Sequence, residues 1–414
     1  MFHLIQLIVM VLAFISHEHE AVATLWEPPL DSYPPLIAPV TKRTGAAKDL
    51  YTVEIMTDWV SGQYVPSDFL IDIDAHLAWH ACIVQPPIST YKCPIDTLCN
   101  TYIPCSDIIC SDIRTFYSYE SPSCIPVNNN TVLPGAGCTC PINVANPVTG
   151  GCLQVEISYD DFTGVSLVAG CAPSSALVSL PKNVTGVMAF SRSPYAYPAQ
   201  LTNPRKNILA LYFPSTTSAR GLLLFGESPL YLPPHSDVDV TSSLSYTPLL
   251  AHPNSLGYFI GVNAIVIKNR STDLPINTTT KLSTTDPYTT LRTDIYNRVA
   301  QRFSKVTKRI PRVAPVPPFS LCFKSFTNGT QVGLKVPGIN LILQGGKNWT
   351  ISTENSIKQI GKEVACLAFV DGGAKREPAI VIGTFQFQDY FIVFDVENSR
   401  FGFSSSLLHK RTSG

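Results

Sequence analysis

Charge is scarce in this sequence. Asp, Glu, Lys and Arg make up 14% of its 414 residues, and 30 basic side chains offset 30 acidic ones. A chain with no net charge projects no global field, which argues against non-specific binding to nucleic acid or to a membrane surface. Beyond the N-terminus no apolar run reaches the roughly 20 residues that a bilayer-spanning helix needs. Three catalytic signatures are also missing: a Gly-x-Ser-x-Gly elbow, a His-Glu-x-x-His zinc site and a Gly-rich phosphate loop. No cofactor is implied. Helical periodicity is scarce too. The best match covers 293–303, where Ile295, Val299 and Phe303 share one face and Thr293 or Asp294 stands in place to cap the start. A shorter one covers 198–201.

What fills the chain is apolar and uncharged-polar. Hydrophobic residues reach 45%, enough for a large core in two domains. Short runs rich in β-branched and aromatic residues recur at 51–55, 69–73, 165–169, 208–213, 222–225, 259–267, 339–343, 379–382 and 390–394, separated by Pro, Gly, Asn or Ser. The expectation is a mostly-β chain. Its two strand-rich halves, 49–235 and 236–414, are joined through the proline-bearing stretch 230–246 and preceded by an extended lead-in at 24–48. Each half shows an apolar strand, a polar turn and later returning strands, a weak internal symmetry.

Residues 1–23 read as a secretory signal: 4–15 is almost wholly apolar and Ala21-Val22-Ala23 offers a small-residue cleavage site. The n-region lacks Lys and Arg, so a signal anchor is the alternative. Secretion makes the 12 cysteines readable as disulfides. Cys322 and Cys366 stand far from the rest and are expected to pair. Cys82, Cys93, Cys99, Cys105, Cys110, Cys124, Cys138, Cys140, Cys152 and Cys171 imply about five bridges of open connectivity. Cys138-Thr-Cys140 could hint at a metal, but no histidine follows His80 within that block, so no metal site is expected. Sequons at Asn129, Asn183, Asn269, Asn277, Asn328 and Asn348 point the same way, toward an extracellular glycoprotein.

The segment DIDAHLAW, Asp72 to Trp79, follows the apolar run 69–71. An apolar strand, an Asp, a short turn and a Trp seven residues on is similar to the way a pepsin-like lobe presents a catalytic carboxylate. The turn departs from that pattern, because Asp74 stands where a glycine would let the backbone close in and adds a charge beside Asp72. In the second half the matching stretch is KLSTTDPYTTLRTDIY (281–296). Ser283 occupies the carboxylate position and Thr285 the glycine position. Aspartic proteolysis needs two carboxylates sharing a proton, and serine cannot supply the second. Asp286 lies three residues late. His76 and His80 flank the first turn; facing the cleft is one reading, and ordinary polar surface is the one preferred.

These departures, together with YFIGVNAIVI (258–267), VPGINLILQGGKNWTISTENS (336–356), CLAFVDGG (366–373) and IVIGTFQFQDYFIVFDVENSRFGFSSSLL (380–408), resemble the plant pepsin-like proteins that have lost catalysis: extracellular dermal glycoproteins, seed basic globulins and cereal xylanase inhibitors. The resemblance covers about 45–412. It implies two β-barrel-like lobes across a cleft, no proteolysis, and a microbial cell-wall glycoside hydrolase as protein partner in the apoplast. By that resemblance Arg312 and Arg411 match cations inserted into the hydrolase cleft, with His409 and Lys410 supporting. Such a cleft holds two acidic residues, against which a partly desolvated guanidinium makes strong bidentate bonds. A basic surface loop and a frayed basic terminus are the plain alternative. A storage or binding protein on the same scaffold is the second functional expectation, and an active endopeptidase the third. Relatives also carry a tail cysteine bonded to the first lobe; here Tyr212 stands at the lobe position and the tail has none.

Overall fold

The computed structural model describes residues 35–45, 48–59, 63–85, 99–120, 124, 132–133, 137–162, 165–201, 207–226, 239–275, 278–325 and 334–408. The signal segment, Cys93, the tail residues His409, Lys410 and Arg411, and the sequons at Asn129, Asn277 and Asn328 lie outside these. Among the described residues no helix is long and apolar enough to cross a membrane.

The fold is mostly β, and its organising unit occurs twice. In the first half the strand Gln63–Asp72 leads into a turn, and the chain leaves along Trp79–Ala81. Both strands lie against Val184–Ala189, the first parallel (Ala189 opposite Asp72) and the second antiparallel (Val187 opposite Trp79). Trp79–Ala81 also runs parallel to Val165–Ala172. The second half repeats this. Thr279–Leu282 enters and Thr289–Leu291 leaves, with Ile380–Ile382 between them, parallel to the first and antiparallel to the second. Thr289–Leu291 runs parallel to Phe369–Asp371. Each unit therefore sets one tight turn at the C-terminal end of a buried strand, where backbone polar groups are already committed to neighbours.

An antiparallel sheet joins the halves. Its order is Leu36–Thr44, Gly221–Phe225, Ile208–Tyr212, Phe391–Asp395, Arg400–Phe403 and Ser245–His252. The central strands ILALY and FIVFD are apolar almost throughout because both faces are covered. The expected lead-in thus contributes a strand, with Val40 fully buried. Trp349 packs between Phe387 at 5.9 Å and Phe403 at 5.2 Å, adding aromatic contact beyond area burial.

The expected strands all appear within a few residues of the sequence reading, and Tyr197–Gln200 is the short helix. Helix Thr293–Val306 buries Ile295, Val299 and Phe303 as its periodicity predicts, each worth about 1.5–3 kcal/mol. Its start differs: neither Thr293 nor Asp294 caps it. Arg292 is the N-cap residue. Thr293 Oγ1 instead donates to Asp371 at 2.6 Å, and Asp294 pairs with Arg292 at 2.8 Å. Helix Ile108–Glu120 was not expected; Cys110 on it is bonded to Cys140, a tertiary tie that periodicity does not register. Nor was helix Thr384–Phe387, which interrupts the apolar return run.

The disulfides are Cys82–Cys171, Cys105–Cys138, Cys110–Cys140, Cys124–Cys152 and Cys322–Cys366. Cys99 is also disulfide-bonded. Cys138 and Cys140 are both consumed in bridges. These bonds fit an oxidising, extracellular setting.

Candidate functional site

The two turns face each other across the junction of the halves, and each is tied by the same local bonds. Asp72 Oδ1 accepts from the backbone N–H of Asp74 at 2.8 Å and of Ala75 at 3.2 Å. Ser283 Oγ accepts from Thr285 at 3.3 Å and Asp286 at 3.0 Å. An oxygen acceptor two and three residues ahead of two free N–H groups is what short polar side chains supply in turns. Neither Asp74 nor Thr285 has a positive φ. A glycine is therefore not required at either place, and side chains are tolerated there.

Thr284 links the turns. Its hydroxyl donates to Ile71 O at 2.8 Å and accepts from Ile73 N–H at 3.2 Å. The residue in the same place of the first turn is Ile73, which has no hydroxyl to return the contact.

Charge crosses the junction twice. Lys281 pairs with Asp74. The absence of a side chain at Gly257 makes room for the Asp74 carboxylate, because a Cβ there would clash with Asp74 Oδ1. Lys48 Nζ donates to Pro147 O at 2.8 Å and Thr285 O at 3.0 Å. Burial lowers the Lys48 pKa, opposed by the charges of Asp286 and Asp72. Burial and then the Asp74 charge push the Asp72 carboxyl up to about 6, with the two backbone bonds and Lys281 offsetting part of the rise. Burial lowers His76.

The floor of this junction holds one carboxyl group at the Asp72 position and a neutral hydroxyl at Ser283. A hydroxyl does not ionise near neutral pH, so no proton can be shared between two carboxylates there. Asp286 is committed through its main chain, whose N–H bonds Ser283 and whose C=O accepts from Thr384 N–H at 2.9 Å.

His80 departs from the surface reading. It is fully buried; Nδ1 faces Ala81 O at 3.1 Å, and Nε2 meets the Asp160 carboxylate. Both ring nitrogens face oxygen acceptors, which favours the doubly protonated ring, and the Asn100 amide nitrogen also stands 3.4 Å from Nε2. Burial opposes that charge, but Asp160 outweighs it and raises the His80 pKa. Burial pushes Asp160 up, and His80 more than reverses it, so its pKa is lowered.

Arg312 is exposed, on the short strand Arg312–Val313 opposite Phe323. Its guanidinium bonds Ser304 through the hydroxyl and, at 3.4 Å, the carbonyl. That puts it at the base of the hairpin formed with Cys322–Lys324, a strand that Cys322–Cys366 ties to Val364–Leu367. The tail is described to Leu408. Leu407 is buried with Tyr212 in one apolar cluster, and its N–H donates to Asp389 O at 2.7 Å. Tyr212 donates its hydroxyl to Asp389 Oδ1 at 3.0 Å. Sequon residues Asn183, Asn269 and Asn348 are exposed.

Two facing turns at the ends of duplicated strand units, in a bilobal mostly-β chain, define a pepsin-like fold. The sequence matches the family described as xylanase inhibitor N-terminal over residues 56–227 and xylanase inhibitor C-terminal over 257–405. The chain belongs to this family of aspartic-protease-like, non-proteolytic proteins. It is similar to "Chitinase CLP" of Oryza sativa subsp. japonica, 32% identical over 92% of this chain and 90% of the relative. It is also similar to "Gamma conglutin 1" of Prunus dulcis, 34% identical over 83% and 81%. Among solved structures, that titled "Crystal structure of edgp" superposes with a TM-score of 0.73 at 28% identity, covering 92% of this chain and 97% of that one.

Proposed function

We propose that the chain is a secreted, non-proteolytic protein that binds and inhibits microbial cell-wall glycoside hydrolases, endoglucanases or xylanases, in plant defence. The observation that carries this reading is the hydroxyl of Ser283 in the turn that mirrors Asp72, within a family described by xylanase inhibition. The lobes correspond to 49–235 and 236–414, and binding rather than chemistry is what their frame is left to do.

The contact we assign is electrostatic. Arg312, with Arg411 and the neighbouring His409 and Lys410 of the tail, enters the partner's acidic cleft. In that partly desolvated setting a charge-assisted bond is about twice as strong as a neutral one. Insertion of Arg312 exchanges its bonds to Ser304 for bonds to a carboxylate. His409 adds charge as pH falls toward mildly acidic values.

The test is a titration of the purified protein against fungal endoglucanases and xylanases at mildly acidic pH, with Arg312→Ala and Arg411→Ala variants in parallel. The expected result is stoichiometric inhibition of one class, weakened by added salt and by each substitution. No inhibition across the panel contradicts the reading; inhibition that survives both substitutions contradicts the two-arginine contact. The likeness to a gamma conglutin favours a second reading, a non-inhibitory binding or seed protein on the same scaffold, to which a silent panel would point.

A further inference from the structure

The overall charge balance conceals a local imbalance. From Ile295 through Thr353 the sequence holds nine Lys and Arg and not one Asp or Glu. The first part of this run folds onto a single face. Arg298, Arg302 and Lys305 recur at intervals of four and three along helix Thr293–Val306, so they line one side over about 10 Å. Arg302 fastens that side to the neighbouring hairpin through the carbonyls of Ile267 at 3.3 Å and Lys268 at 3.2 Å. The hairpin turns at Lys268 and Asn269, both at positive φ, and so presents Lys268 and Arg270 beside the helix. Past the helix end the chain adds Lys308 and Arg309.

Internal pairing takes up Arg298, which meets Asp294 at 3.7 Å and the Asp273 carbonyl at 3.1 Å, but not the rest of the strip. Elsewhere in this half Arg292 is bonded to Asp294 and Glu377, and Arg400 to Asp395 at 2.6 Å. Lys268, Arg270, Lys305, Lys308 and Arg309 are all exposed and form no side-chain hydrogen bond or ion pair among the described residues. The helix C-terminus favours cations by its dipole, which explains Lys305 but not the hairpin pair.

We propose that this face is a binding strip for an acidic polysaccharide, a polyuronate presenting serial carboxylates. The five unpaired cations supply the complementary charge. No large exposed apolar or aromatic side chain lies on the strip, so the stacking platform that single-stranded nucleic acid uses is missing. The choice of a polysaccharide rests on the extracellular part of the function proposed above and is independent of hydrolase inhibition. Bound in this way, the protein would be held on a carboxylated matrix.

The test uses the full-length secreted chain and polygalacturonate as probe, with its fully methyl-esterified form and duplex DNA as comparisons. The substituted protein is Lys305→Gln/Lys308→Gln/Arg309→Gln, with Lys182→Gln as a control elsewhere on the surface and Lys268→Gln/Arg270→Gln as a second, independent removal of charge. Expected are binding that falls with salt, none on the ester, a loss of roughly tenfold or more in the triple variant, about 1.4 kcal/mol, a loss in the hairpin variant, and none in the control. Unchanged binding by both cation-removing variants, equal binding to the ester, or tighter binding to DNA overturns the proposal. None of these readouts involves a hydrolase, so they stand or fall apart from inhibition.

Discussion

The turn at Asp72 and the turn at Ser283 share a bonding pattern and differ in chemistry. In each, one side-chain oxygen accepts from the N–H groups two and three residues ahead. The geometry needs only an acceptor, so a hydroxyl serves as well as a carboxylate, and the turn persists where the second charge is gone. The asymmetry extends outward. Eight residues after Asp72 comes His80, buried against Asp160; eight residues after Ser283 comes Leu291, buried among apolar neighbours. The Thr284 hydroxyl reaches across to the Ile71 carbonyl and the Ile73 N–H, and the Ile73 side chain has no polar group to reach back. The second turn therefore has a neutral hydroxyl where the first has a carboxyl, and it supplies the hydroxyl contact between halves, while the first supplies Asp74 to the ion pair with Lys281.

The largest effect should come from breaking the ionic side of this comparison. Asp160→Asn leaves the charged His80 without its partner, and removing one member of a buried pair costs about 3–5 kcal/mol. The signs define the window. The raised His80 pKa contributes stability that is complete below its unfolded value of 6.5 and lost as pH rises through the folded value. The lowered Asp160 pKa contributes stability present above 3.8 and lost as pH falls through its folded value. Denaturant unfolding should show the Asp160→Asn penalty largest between about pH 4 and 6.5. That of Leu291→Ala, about 2–5 kcal/mol, should be flat with pH. A flat Asp160→Asn profile would remove the ionic account of that half.

Next in size is Thr284→Val. It strands the buried C=O of Ile71 and N–H of Ile73, at about 1–3 kcal/mol per group. The mirror change, Ile73→Val, deletes only a methylene and should cost about 0.5–1.5 kcal/mol. Equal losses would mean that the halves are not joined through Thr284.

The smallest effect sharpens the acid side. Burial and the Asp74 charge push the Asp72 carboxyl up to about 6 in the fold, against 3.8 for a free aspartate. Stability therefore falls as pH rises between these values, and the cost is complete above the upper one. Asn keeps an acceptor without charge. Asp72→Asn should stabilise the protein about 2 kcal/mol more at pH 7 than at pH 4. An equal effect at both pH values would contradict a raised carboxyl.

Much of the frame was legible in the sequence. Short runs of β-branched and aromatic residues marked the strands, the spacing from Asp72 to Trp79 marked the first turn, and Ser283 stood where the second carboxylate would be. The pairing of Cys322 with Cys366 followed from their isolation, as the structure has it. What was not legible is what comes from a distance. Lys281 lies 207 residues from Asp74, and Asp160 lies 80 from His80. Local pattern carries no sign of such partners, so Asp74 read as an uncompensated charge and His80 as surface. The basic strip escaped for a related reason: a net charge of zero averages over segments that folding keeps apart.

The central claim is that this cleft has kept the frame of a protease and not its chemistry. It is tested most directly by incubating the purified protein with unfolded protein substrates between pH 3 and 6, beside Asp72→Asn. The account predicts no peptide-bond cleavage by either. Cleavage by the native chain that disappears in Asp72→Asn would contradict it, because Asp72 would then have found a second carboxylate with which to share its proton.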